Sequence, residues 1–155
     1  MTDDAASIRV ATLNDLDTVV TLMEELVAEL GPPELACRLR ARLRPDLHRA
    51  LQSPAVRVFL AAIGGEIVGL SRGDVLSLDP IFRLRDDQRC GYIDQMYVRA
   101  GFRHAGLGKQ LLGCCEAWFR EQGIGHALLH AAPRAARFYA REGYLPNREM
   151  FKKLM

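Results

Sequence analysis

Apolar residues recur along this chain at two spacings, every third or fourth position and every second, and the changes between them mark out elements. Ile8 to Ala11 reads as a short strand. Leu16, Val19, Val20, Met23, Leu26, Val27 and Leu30 then follow at helical spacing, with Thr12 or Asn14 placed to cap the helix. Gly31-Pro32-Pro33 ends it. Leu35, Leu39, Leu43, Leu47 and Leu51 recur at every fourth position, and Pro45 is expected to split that second helical stretch in two.

Val56 to Ile63 and Glu66 to Asp74 are β-rich runs joined by Gly64-Gly65, the two-residue signal of a tight hairpin. Val75 to Arg89 keeps no period, contains Pro80 and several charges, and reads as a loop. Tyr92 to Val98 is a strand. Leu107, Leu111, Cys114, Cys115, Trp118 and Phe119 form one side of a helix, Lys109, Glu116 and Arg120 the other, and Gly123 and Gly125 stop it. Ile124 to Ala131 reads as a buried strand, Pro133 to about Glu142 as a helix, and Met150 to Met155 as a last strand. This order predicts an α/β protein of the α+β type, with a mixed central sheet covered by helices.

The 155 residues suit one domain, 1–155, with no linker or repeat. Lys and Arg total 21 against 19 for Asp and Glu, so no general field attracts nucleic acid or membrane, and an anion site must be local. Cys37, Cys90, Cys114 and Cys115 form no CxxC pair and have no His at zinc spacing, so no metal is expected. Free cysteines, an acidic N-terminus and the lack of an apolar run of ~20 residues point to the cytoplasm.

The richest chemistry lies between Val98 and Lys109, where a strand passes through Gly106 and Gly108 into a helix. The first N–H groups of a helix lack internal partners, the macrodipole is positive there, and glycine lets a phosphate reach the main chain. Arg103, His104 and Lys109 add side chains that can carry charge. Two common phosphate loops do not fit. The third glycine of a dinucleotide fingerprint is replaced by Leu111; the Walker spacing would need Gly at Arg103 and Ser or Thr at Gln110.

What remains resembles the GNAT superfamily of acyl-CoA-dependent N-acetyltransferases. Its signature of Gln or Arg, two residues, Gly, one residue, and Gly or Ala is matched by Arg103-His104-Ala105-Gly106-Leu107-Gly108 after Val98. Phe138-Tyr139-Ala140-Arg141-Glu142-Gly143-Tyr144 looks like the family's Tyr-x-x-x-Gly-Phe ending of its last helix. The chain departs from the family at Ala100, where Pro is frequent, and at Ala132, where Asn is frequent. The second departure removes one expected contact to the pantetheine arm.

The resemblance implies the GNAT fold: a mixed, mostly antiparallel sheet of six to seven strands flanked by about four helices. It implies acetyl-CoA as cosubstrate, with the backbone of Met96, Tyr97 and Val98 pairing with pantetheine. The segment Arg103, His104, Ala105, Gly106, Leu107, Gly108 and Lys109 would hold the pyrophosphate. Tyr139 matches the proton donor to the departing thiolate, and Asp94, four residues before Val98, matches the base. Strict alternation puts Asp94 on the face of Tyr92, Met96 and Val98, with Gln95 and Tyr97 opposite. His126 and His130 read as structural, and the Arg38-to-Arg44 run as a solvated helix face. Cys114 and Cys115, in mid-helix, make a ping-pong route unattractive, so direct attack in a ternary complex is expected. The acceptor would be a small-molecule or peptide amine, and a homodimer would be unsurprising. A non-catalytic acyl-CoA sensor and an interaction module are the alternatives.

Overall fold

The computed structural model describes residues 5–77 and 89–146. In chain order the elements are β1 (Ser7–Val10), α1 (Leu16–Leu30), α2 (Pro33–Gln52), β2 (Val56–Ile63), β3 (Glu66–Ser77), β4 (Arg89–Val98), α3 (Leu107–Glu121), β5 (Ala127–Leu129) and α4 (Ala136–Arg141). Short 3-10 turns at Leu13–Asp15, Ala100–Phe102 and Pro133–Ala135 lead into or out of them. The strands lie in sequence order in one sheet. Neighbours from β1 to β4 are antiparallel, and β4 and β5 are parallel.

Most boundaries follow from local chemistry. Thr12 caps the first turn, accepting from the Asn14 N–H at 3.3 Å, and the Asp15 carboxylate accepts from the Thr12 N–H at 2.8 Å, a reciprocal capping box. Gly64 and Gly65 both take positive φ, 56° and 83°, as a two-residue hairpin requires.

Three expectations change. Pro45 does not divide the second helical stretch: α2 runs unbroken from Pro33 to Gln52. A proline inside a helix costs about 3 kcal/mol. Leu47 and Ala50 are buried beside it, with Leu43 and Leu51 packed on the same cluster, and each large apolar side chain returns roughly 1.5–3 kcal/mol. The fifth strand is shorter than Ile124 to Ala131. Ile124 instead packs under α3, its N–H bonded to the Phe119 carbonyl at 2.9 Å, and pairing begins at Ala127. Third, the described sheet has five strands rather than six to seven. The strand expected at 150–155 lies outside the described residues, as does most of the expected loop.

The sheet separates two apolar layers. Under α3, Leu107, Leu111, Leu112, Cys115, Trp118 and Phe119 pack on Phe59, Ala61, Val68 and Ile93. On the other face, Val19, Leu22 and Met23 of α1 and Leu47 of α2 pack on Val58, Leu60, Leu70 and Tyr97. Buried Ser71 ties β3 to α3 by donating to the Leu111 carbonyl at 3.0 Å.

Helix α3 lies close to the sheet where glycine replaces a side chain. A Cβ on Gly91 would stand 2.5 Å from Phe119 Cδ2 and 2.7 Å from two further ring atoms. Gly91→Ala is therefore expected to destabilise the fold by about 1–3 kcal/mol, the usual cost of overpacking a filled core. A urea midpoint equal to that of the parent would show that the ring can retreat freely.

Candidate active site

Strand β4 is paired differently along its two edges. Against β3 it is bonded from Arg89 to Val98, but against β5 only Gly91, Tyr92 and Ile93 are paired, with Ala127, Leu128 and Leu129. Beyond Ile93 the two parallel strands part, and the edge from Asp94 to Val98 has no strand partner among the described residues. Backbone donors and acceptors there are available to an extended ligand that adds itself as a strand. Met96, Tyr97 and Val98, the expected pantetheine-binding residues, lie on this edge. Arg103 Nε donates to the Val98 carbonyl at 2.7 Å and closes its outer end.

Where the strands part, β4 carries a bulge. Arg72 pairs with Gln95 and Gly73 with Ile93, which leaves Asp94 as the extra residue. The bulge corrects the side assigned by alternation. Ile93, Met96 and Val98 all pack on the α3 layer, whereas Asp94 turns to the α2 side and pairs with Arg72 Nη1 at 3.3 Å. It shares a face with Tyr97, not with Met96 and Val98. Arg72 is held more tightly by Asp74, with bonds of 2.7 and 2.6 Å, so it offers Asp94 little net charge. Burial accordingly raises the Asp94 pKa, against the pull of Arg72 and with the help of nearby Asp74. Arg72 also lines a shallow cleft of about 390 Å3 with Asp46, Arg49, Ala50 and Ser53. Sequence reasoning passed over Arg72 and Asp74. Two opposite charges two residues apart in a strand, and so on one face, were the signal available.

The loop at the end of β4 has the form of an anion site. His104 adopts a left-handed φ of 68°, rare for a residue with a side chain, and Gly106 has φ of 81°. Left-handed residues at close intervals let successive N–H groups converge on one anion. Gly106 is the N-cap and offers no side chain, and the first helical bond of α3 is from Gln110 N–H to Gly106 O at 3.1 Å. The amides of Leu107, Gly108 and Lys109 thus have no acceptor within the helix. Gly108 keeps the first turn against Phe138 and Met96, whose atoms would lie 3.5 and 3.9 Å from an added Cβ. Leu107 is buried and anchors the turn, while Ala105 is exposed. Lys109 is mostly exposed, with Nζ 3.8 Å from Glu142. The Arg103 guanidinium is turned to Glu29, at 2.7 and 2.8 Å.

Tyr139 of α4 packs on the α3 layer with Met96 and Val98. Its ring meets Phe138 and Tyr144 edge-on, at centroid distances of 5.0 and 5.8 Å. Tyr144 is fixed by donating to Glu116 at 3.0 Å. Burial pushes the Tyr139 pKa up to about 12, and its hydroxyl has no hydrogen-bond partner among the described residues. Cys115 is fully buried, its thiol also pushed up to about 12 by burial, so it stays a neutral, inert thiol.

Two clusters were not legible beforehand. Glu29, near the end of α1, gathers Arg103, Arg134 at 2.9 Å and the Tyr97 hydroxyl at 3.1 Å. At the fork, Tyr92 Oη and His130 Nδ1 are 2.6 Å apart. Among the described residues no group of three or more His, Cys, Asp or Glu is placed to hold a metal, and no helix is long and apolar enough to cross a membrane.

Residues 20–144 match the model of the acetyltransferase (GNAT) family. A protein of Bacillus subtilis (strain 168), named as a candidate acetyltransferase, is 33% identical over 69 residues, which are 44% of this chain and 47% of that protein. The match therefore spans about half the length of that relative. The crystal structure of a GCN5-related N-acetyltransferase from Ralstonia eutropha JMP134 superposes with a TM-score of 0.87 at 28% identity, over 97% of this chain and 99% of the other. A predicted acetyltransferase from Clostridium acetobutylicum, crystallised with acetyl-CoA, has a TM-score of 0.85 over 96% of both chains; at 19% identity it attests the fold alone.

Proposed function

We propose, from the premise that this chain belongs to the acetyltransferase (GNAT) family, that as a single domain it transfers the acetyl group of acetyl-CoA to a primary amine. One observation carries the reading: the edge of β4 that has no strand partner among the described residues leads, through the turn at Ala100–Phe102 and the loop after it, to a start of α3 that no side chain caps. A pantetheine arm needs the first and a pyrophosphate the second, in that order along one molecule. The amides from His104 to Lys109 would hold the pyrophosphate, and the main chain of Met96, Tyr97 and Val98 the arm.

The proposed chemistry uses both sides of that edge. Asp94 lies on the α2 face of β4, beside the cleft at Arg72, and Tyr139 on the α3 face. An acceptor amine entering from the α2 side meets the carboxylate that can take its proton. It attacks the thioester carbonyl directly, forming the amide C–N bond and breaking the C–S bond. A main-chain N–H near Met96 or Tyr97 stabilises the oxyanion. The thiolate leaves toward the side where Tyr139 can donate. No enzyme nucleophile takes part, consistent with the buried Cys115 thiol.

Release of free thiol, followed over a panel of small amines, amino-acid derivatives and peptides, tests the proposal. Amine-dependent release with a matching N-acetyl product is expected. Coenzyme binding without release for any amine would make the protein a sensor instead.

A base must be ionised, so activity should fall as pH drops through the Asp94 pKa, which burial places above the ordinary value of about 4. Asp94→Asn is expected to lower kcat about 10²-fold and to remove that acidic limb. The variant should still fold. A raised carboxyl pKa means that the group's favourable contribution is present below the unfolded pKa and lost as pH rises through the folded one, so ionised Asp94 is no stabiliser at neutral pH. A limb that persists in the variant would assign the proton to another group; a change in KM alone would make Asp94 an ammonium-binding residue.

A further inference from the structure

Glu29 joins two elements that diverge. Tyr97 lies four residues past Ile93, the last residue of β4 paired with β5, and Arg134 lies five residues past that partner, Leu129. Both reach the Glu29 carboxylate, so the contact crosses the open fork on its α1 face. Arg103, from the loop that begins the anion site, binds the same carboxylate.

One carboxylate serves two guanidinium groups: Glu29 binds both Arg103 and Arg134, while Glu25 beside it is bound by Arg99. Arg103 is the more firmly held, with two bonds to Glu29 and a third to the Val98 carbonyl, and its side chain is 33% exposed. Arg134 has one bond to Glu29 and is 56% exposed. An exposed ion pair contributes little in water, because solvent screens it and ordering two long side chains opposes it. A guanidinium exchanges such a contact readily for a phosphate, whose oxygens match its planar fork of donors.

We propose that Arg134 is a coenzyme-selectivity residue: it binds a phosphate of coenzyme A from the wall opposite the loop, with Glu29 as the carboxylate between which and the phosphate it exchanges. This rests on the coenzyme reading above and adds a side-chain determinant to a site otherwise made of main-chain amides.

Calorimetric titration of coenzyme A, 3′-dephospho-coenzyme A and pantetheine into the parent and Arg134→Gln tests it. The substitution should weaken coenzyme A about tenfold, the loss of one charge-assisted contact, and change pantetheine less than twofold. Arg134→Lys should recover part of the loss, as a point charge does. If 3′-dephospho-coenzyme A shows the same loss, the diphosphate is the partner; if it shows none, the 3′-phosphate is. Either result supports the assignment. Equal weakening of coenzyme A and pantetheine would make Arg134 only a clip on the fork and overturn it, as would an unchanged affinity for coenzyme A. A parent protein that does not prefer coenzyme A over pantetheine would sink the reading of the loop itself, and this one with it.

Discussion

Gly106→Val is expected to weaken coenzyme A binding at least 10²-fold while leaving a folded protein. Gly106 stands at φ of 81°, where a β-branched residue costs about 1–3 kcal/mol. The chain can relieve that strain by rotating Gly106 out of the left-handed region. Doing so turns the amides around the start of α3 away from a common point, and the valine side chain then competes for the same space. Each lost hydrogen bond to a phosphate is worth roughly 1.5–3 kcal/mol, so two together give the predicted factor. Gly106→Ala should lie between, because it meets the backbone strain with a smaller side chain. The melting temperature is the control. A fall of several degrees fits the strain, at about 2–4 °C per kcal/mol for a chain of this length. Retained affinity within twofold would show that the phosphate does not sit on this turn.

Gly106 was legible in the sequence because the demand on it is local: a strand, a turn and a helix within a few residues. The β2–β3 hairpin was legible for the same reason, Gly64-Gly65 fixing turn and register together. The side assigned to Asp94 was not. Whether a strand keeps its alternation depends on the partner opposite, and the extra residue between Ile93 and Gln95 appears only when β3 is laid against β4. Pro45 marks another limit: its local cost is real, but the decision belongs to the layer on which Leu43 and Leu47 pack. The Glu29 cluster is more distant still, joining residues 74 and 105 positions apart in sequence. Periodicity carries no information on such pairs. The places of Tyr139 and of the loop in the fold were thus readable, whereas what sets the surroundings of Asp94 required the sheet.

Tyr139→Phe is expected to lower kcat about 10- to 10²-fold and to leave the dissociation constant of coenzyme A within twofold. Phenylalanine keeps the edge contacts to Phe138 and Tyr144, so only the hydroxyl is removed. The size of the effect follows from two acidities. The Tyr139 pKa is pushed up to about 12, whereas a free thiol has a pKa of about 8.5. Complete transfer of the proton to the leaving thiolate is therefore uphill, and the hydroxyl acts mainly by donating a hydrogen bond to sulfur as charge develops there. A hydrogen bond to a charged group is worth about 1.5–3 kcal/mol, which gives the predicted range and places it at the low end for general acid catalysis. The same raised pKa fixes the alkaline behaviour. An ordinary tyrosine would lose its proton near pH 10, but Tyr139 remains a donor there, so kcat should show no fall from this group between pH 9 and about 11. If the parent loses activity through pH 10 and the Phe variant does not, the hydroxyl is more exposed to water than its packing indicates. If turnover is unchanged in the variant, sulfur leaves without help from Tyr139, and the α3 side of β4 contributes only walls.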